Sequence, residues 1–249
     1  MTKLILALGA ATLALAGCSD AGTDNKTGSA PTAAAAGQPI APPAGKQWSD
    51  VVTELPDGGI RMGNPDAPVK LVEYMSLTCP HCAEFAKGAY ERIVNDYVRK
   101  GTVSFEIRNY VRDPIDMTLT LISRCAGPEA YFAMTEQALA SQEGVFERAQ
   151  KLDQSALQQL QSAPPAQQFQ GLARLLELDQ FAKQRGIAEA QMNTCLADQS
   201  RFDKLVAMQR TANEDVRIPG TPAFLINGAL LENAGTWEAL EPKLKAAGA

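Results

Sequence analysis

The sequence predicts an α/β protein whose mixed sheet is interrupted by an all-helical insertion. Three observations predict it. A mostly apolar run, Val69 to Met75, stops just before a helical stripe that opens at a pair of cysteines, as a buried strand followed by a helix would. The stretch 115–214 then lacks β-branched runs and is dominated by Leu, Ala, Gln, Glu, Lys and Arg, all good helix formers. Strand signals return at Ala223 to Ile226.

In chain order, Lys3 precedes an apolar and small-residue run, Leu4 to Ala16, that is too short for a permanent membrane helix and reads as an export signal. Leu15-Ala16-Gly17-Cys18 resembles the lipobox of bacterial lipoproteins, which implies cleavage before Cys18 and its diacylation; an ordinary secretory signal is the alternative. On this reading residues 1–17 are the signal. Residues 18–47, rich in Ala, Gly, Pro, Ser and Thr, form a flexible tether of roughly 30 Å typical span. From Trp48 about 200 residues remain, enough for one sizeable core. The expected parts are 48–114, the helical insertion 115–214, and 215–249. A net charge of −5 with no basic patch excludes a nucleic-acid binder.

Asp57-Gly58-Gly59 and the turn-forming stretch Gly63 to Pro68 flank a short extended piece, Ile60 to Met62. Pro80 suits a first helical turn, and Cys82, Ala86, Ala89, Ile93 and Tyr97 draw one apolar stripe until Gly101. Val103 to Arg108 alternates as a second strand, closed by Asp113-Pro114, which makes a right-handed βαβ unit. Breaks at Gly127-Pro128, around Gly144, at Pro164-Pro165 and at Gly186 predict four or five inserted helices, one of them burying Leu172, Leu175, Leu176 and Leu178. Asn227-Gly228 is a hairpin turn between Ala223 to Ile226 and Ala229 to Leu231. Trp237, Leu240 and Leu244 mark a closing helix.

The chemistry centres on Cys79-Pro80-His81-Cys82. A structural zinc site needs four ligands, and the chain has one CxxC and one histidine; haem attachment needs histidine where Ala83 stands. A plain buried disulfide is the remaining bland reading. The strand-then-helix context favours a redox dithiol, with no metal or cofactor. Cys79 at the helix N-cap, its sulfur facing out, has its thiolate favoured by the helix dipole; Cys82, one turn in, is the resolving thiol. Glu73 is the one acid in an apolar strand, either buried for a task or reaching solvent past an edge. With Cys18 lipidated and Cys79 and Cys82 catalytic, Cys125 and Cys195 remain, and in an oxidising compartment they are expected to form a disulfide.

The CPHC motif, Glu73 six residues before it, the helical insertion and the Thr221-Pro222 pair before an apolar strand together resemble DsbA-like thiol:disulfide oxidoreductases over about Gly59 to Ala246. The resemblance implies a periplasmic thioredoxin fold that donates its disulfide to exported, reduced proteins and is recharged by a quinone-linked membrane partner resembling DsbB. It implies that His81 lowers the Cys79 pKa and that Glu73 relays protons. It implies a cis bond before Pro222, with Thr221 and Pro222 binding substrate backbone. Arg108 is a candidate partner for Glu73 where the family often has lysine. The expected protein is a lipid-anchored monomer. Thr221 departs from the valine common in oxidases of the family and favours the alternative of a reductase or isomerase. A redox-inactive lipoprotein that binds extended peptides is the rival from another class.

Overall fold

A computed structural model describes residues 41–249; the expected signal, the Cys18 site and most of the tether lie outside the described residues. Three short or medium strands come first, β1 (Val52–Glu54), β2 (Ile60–Met62) and β3 (Val69–Met75). Helix α1 (Pro80–Arg92) follows and runs on through a π-helical turn, Ile93–Val98, before strand β4 (Val103–Asn109). Beyond the insertion lie β5 (Ala223–Ile226), β6 (Ala229–Leu230) and α10 (Trp237–Ala246). The sheet order is β1-β2-β4-β3-β5-β6, with β3 and β4 parallel and every other pair antiparallel. That is the mixed sheet the sequence predicts, with one additional edge strand, β1.

The α1 stripe is legible in the burial of its members. Cys82, Ala86, Ala89, Ile93 and Tyr97 are all buried, and Gly101, at φ 76°, ends the segment in the left-handed region where glycine carries no Cβ penalty. One sheet face packs on α1 through Phe85, Tyr90, Phe105 and Phe224, whose rings lie 4.6–6.1 Å apart in successive pairs. The opposite face holds a smaller cluster of Tyr74, Ala212, Ala223 and Leu225. At the β5–β6 hairpin, Asn227 (φ 50°) and Gly228 (φ 83°) both adopt positive φ, as a type I′ turn requires.

The insertion holds eight helices, not four or five: α2 (Pro114–Cys125), α3 (Pro128–Ala140), α4 (Gln142–Gln150), α5 (Gln154–Gln161), α6 (Pro165–Leu175), α7 (Leu178–Gln184), α8 (Glu189–Ala197) and α9 (Gln199–Thr211). The extra boundaries are made by residues that do not announce themselves as breakers. Glu177 takes a left-handed conformation (φ 56°) that separates α6 from α7, and Leu175 is consequently 37% exposed rather than on a buried face. Asp153 and Asp198 cap α5 and α9 through their carboxylates, and the break before α4 falls at Ser141, leaving Gly144 inside the helix. Helix α2 is the insertion's axis, buried at every position from Asp116 to Cys125 and packed against α3, α6, α8 and α9.

Cys125, at the end of α2, is bonded to Cys195 in α8, with Cα atoms 5.8 Å apart and a sequence separation of 70. Such a bridge restricts the unfolded chain over a long loop. Replacing both residues (Cys125→Ala with Cys195→Ala) is expected to lower unfolding stability by about 2–4 kcal/mol, read from urea midpoints of the two proteins. An unchanged midpoint would remove the bridge from the account of stability.

Candidate redox site

Strand β3 delivers the chain into a buried loop, Ser76-Leu77-Thr78, and Cys79 follows as the N-cap of α1 with extended backbone (φ −93°, ψ 117°). Pro80 takes the first helical position, where its missing N–H costs nothing. Cys79 and Cys82 are both free thiols here. Cys82 is fully buried, and Cys79 is only 4% exposed, less open than the sequence reading expects. The reason is the Thr221-Pro222 segment, whose peptide bond is cis and which lies against it: the Cys79 thiol donates to the Thr221 carbonyl at 3.2 Å.

The two sulfurs are electrostatically unequal. The Cys79 pKa is lowered to about 5, first by a hydrogen bond from the Cys82 thiol, with help from the Thr221 hydroxyl and the backbone N–H groups of Cys82 and His81. The carbonyl contact suits the protonated thiol, whereas the hydroxyl and N–H donors suit the thiolate. Cys82 is pushed well above the ordinary thiol range, chiefly by burial and then by its bond to Cys79 and the nearby Glu73. The His81 side chain is exposed. Its backbone N–H is among the groups that lower the Cys79 pKa.

Glu73 is fully buried; it does not reach solvent. Its Oε2 accepts from the Tyr90 hydroxyl at 2.8 Å, and its Oε1 has no hydrogen-bond partner. Burial raises its pKa to about 8, against the lowering effect of Tyr90 and with a further rise from Cys79. Arg108 does not pair with it. Although the two strands are neighbours, Arg108 sits opposite Tyr74 on the other face of the sheet, and its guanidinium binds Glu106 and Asp57 at 2.6 Å each.

The insertion grips the redox loop at atoms that the sequence reading missed. Buried Asp116 in α2 accepts from the Leu77 N–H (3.0 Å), the Ser76 hydroxyl (2.6 Å) and the Arg112 N–H (3.0 Å). Asp113, the α2 cap, accepts from the Thr78 hydroxyl at 2.9 Å. Gln142, the first residue of α4, donates through Nε2 to the carbonyls of Leu77 (2.9 Å) and Cys79 (3.1 Å). The Asp113-Pro114-x-Asp116 spacing is a helix-start signal and could have drawn attention to the acids. Nothing local marks Gln142. Among the described residues no group of three or more His, Cys, Asp and Glu side chains could hold a metal ion, and no helix is long and apolar enough to cross a membrane.

A family model described as Thioredoxin matches residues 56–246. The chain belongs to the thioredoxin family. Within that family, a protein-disulfide isomerase from Novosphingobium aromaticivorans is 31% identical and superposes with a TM-score of 0.74, over 78% of this chain and 99% of that one. The Wolbachia pipientis protein α-DsbA1 shares the fold, with a TM-score of 0.60 at 20% identity over 76% of this thioredoxin-family chain and 89% of the other. The sheet with its helical insertion is therefore the thioredoxin-like fold in its DsbA-like form. A Rickettsia bellii protein named as a protein-disulfide oxidoreductase is 23% identical over 74% of this chain, which spans 62% of that relative's length.

Glu73 and Cys79 make opposite contributions to stability in the reduced protein. Glu73 is raised from 4.5 to about 8, so the stability it contributes is present at low pH and lost as pH rises through that window. Cys79 is lowered from 9.0 to about 5, so its contribution is present at high pH and lost as pH falls through that window. Between pH 5 and 8 the two oppose each other. Glu73→Gln is expected to leave reduced protein whose urea midpoint climbs with pH across this range, and Cys79→Ser one whose midpoint declines; two flat profiles would sink the assignment.

Proposed function

We propose that the chain is a thiol:disulfide oxidoreductase that donates the Cys79–Cys82 disulfide to reduced, exported polypeptides. The single observation that most supports this reading is the Cys79 thiol, lowered to about 5 beside a buried partner that is raised. A stabilised Cys79 thiolate stabilises the reduced enzyme, so the disulfide is readily passed on. A client thiolate attacks the Cys79 sulfur, the bond to Cys82 breaks, and Cys82 leaves with the electron pair. Glu73, protonated below about pH 8 and near enough to raise the Cys82 pKa, supplies the proton that Cys82 takes up. A second client thiolate then attacks the client sulfur of the mixed disulfide, and Cys79 leaves as the thiolate. Two electrons pass to the enzyme, and the client departs oxidised.

His81 contributes its backbone N–H to the thiolate, and Thr221 and Pro222 present backbone to the client strand. The Leu4–Ala16 run and the Leu15-Ala16-Gly17-Cys18 pattern support export and a lipid anchor at Cys18, with the periplasm as the working compartment and a DsbB-like quinone-linked protein returning the enzyme to its oxidised form. Isomerase or reductase activity is a second reading, favoured by threonine at 221 as a residue type and by the name of the Novosphingobium relative.

A reduction potential between about −270 and −120 mV is expected, because a thiol pKa of about 5 falls between thioredoxin's, near 7, and that of the strong oxidant DsbA, near 3.5. Equilibration with glutathione gives this number, and a value at or below the thioredoxin end would overturn the donor assignment. Cys79→Ser is expected to abolish dithiol oxidation.

A further inference from the structure

A cavity of about 510 Å³ opens beside the first turn of α1, walled by Pro80 and by apolar residues of α1 and α3. Its charged lining is one-sided: Glu84, Glu136 and Glu143 against the single ammonium of Lys87. All four side chains belong to exposed residues, and none has an ion pair or hydrogen bond among the described residues. The wall also includes Gln142, only 6% exposed. Both of its amide hydrogens are committed to the Leu77 and Cys79 carbonyls, which leaves Oε1 as an acceptor without a partner. Glu136 also borders a second cavity, of about 290 Å³, that carries Glu91 farther along α1. The groove therefore starts one residue from Cys79 and offers mainly acceptors, none of them paired within the described residues.

Such a lining matches a cation bearing several N–H donors on an aliphatic stem, whose methylenes would lie on the alanines and leucine of the wall. We infer that this groove is a subsite for a lysine or arginine side chain of the polypeptide whose thiols exchange with Cys79. The inference rests on the redox reading above. At about 3.3 Å per residue of extended chain, a basic residue within roughly four positions of the client cysteine reaches it. A client with acid there meets like charge instead, so the groove selects by repulsion as well as attraction.

The test uses two dithiol peptides that differ only in carrying lysine or glutamate three residues from the first cysteine, with serine counterparts of both. Oxidation by the oxidised full chain and binding of the serine peptides by fluorescence anisotropy are measured at low and high salt. The lysine peptide is expected to react and bind about threefold to fivefold better at low salt, with the ratio shrinking as salt screens the charges. Glu136→Lys with Glu143→Lys is expected to abolish or invert the ratio, and Glu136→Gln with Glu143→Gln to reduce it. Equal treatment of the two peptides by the unmodified protein, or a preference that survives the double lysine substitution, overturns the subsite. Failure to oxidise even dithiothreitol would instead overturn the redox reading, and the serine peptides would still decide the groove.

Discussion

Cys79 as a residue is 4% exposed, which leaves little water to stabilise negative charge, so its thiolate depends on donors supplied by its neighbours. They come from two places in the chain. The Cys82 thiol and two backbone N–H groups belong to the first turn of α1, and the Thr221 hydroxyl arrives from the approach to β5. A helix start alone supplies a favourable dipole and unpaired N–H groups, but a buried anion also needs its geometry held. Beneath it, Glu73 is kept neutral at physiological pH by the same lack of water that makes Cys79 dependent on its donors. Two buried anions so close together would each raise the cost of the other, so only one of them carries the charge.

Holding that geometry is the task that connects the insertion to the site. Asp116 collects donors from the loop preceding Cys79, and Gln142 supplies donors to carbonyls on either side of Thr78. The Cys79 carbonyl already accepts from the N–H groups of Cys82 and Ala83, so the Gln142 amide joins the bonds that define the helix start. A second polar joint lies at the end of β4. Arg124 donates to the Asn109 side chain (2.9 Å) and to the Gly58 carbonyl (2.8 Å), and the Tyr131 hydroxyl donates to the same Asn109 oxygen. These are buried bonds to charged or carbonyl groups, costly to leave unmade. The insertion is thus seated on the sheet at two places, and α2 carries residues of both.

Much of this was legible in the sequence, for physical reasons that differ by element. Strands β3, β4 and β5 and helix α1 follow from hydrophobic period and from turn residues whose conformational preferences are strong, as at Asn227-Gly228. The two thiols and the acid under them were visible because each is a reactive type in an apolar context. The insertion was read too coarsely because Glu177, Ser141, Asp153 and Asp198 interrupt helices by local bonding or a left-handed turn, and a side chain's identity specifies such interruptions weakly. Gln142 and Asp116 lie 63 and 37 residues beyond Cys79, and only tertiary packing brings them to the loop. Arg108, a candidate partner for Glu73 only with a one-residue shift, is excluded because adjacent positions on paired strands point to opposite faces, as the register shows.

Thr221 bears on direction differently once its atoms are placed. As a residue type it suggested a reductase or isomerase, by likeness alone. In the structure its carbonyl accepts from the protonated Cys79, and its hydroxyl is among the groups that lower the Cys79 pKa. A valine would keep the carbonyl and lose the hydroxyl. By the relation between thiolate stability and redox poise, a hydroxyl that lowers the Cys79 pKa supports the proposed donor direction. The same hydroxyl must release the sulfur when a client bond forms there, because a mixed disulfide carries no charge for it to satisfy. On the proposed reading, that loss makes the mixed disulfide the less stabilised state, which fits a disulfide donor better than an isomerase.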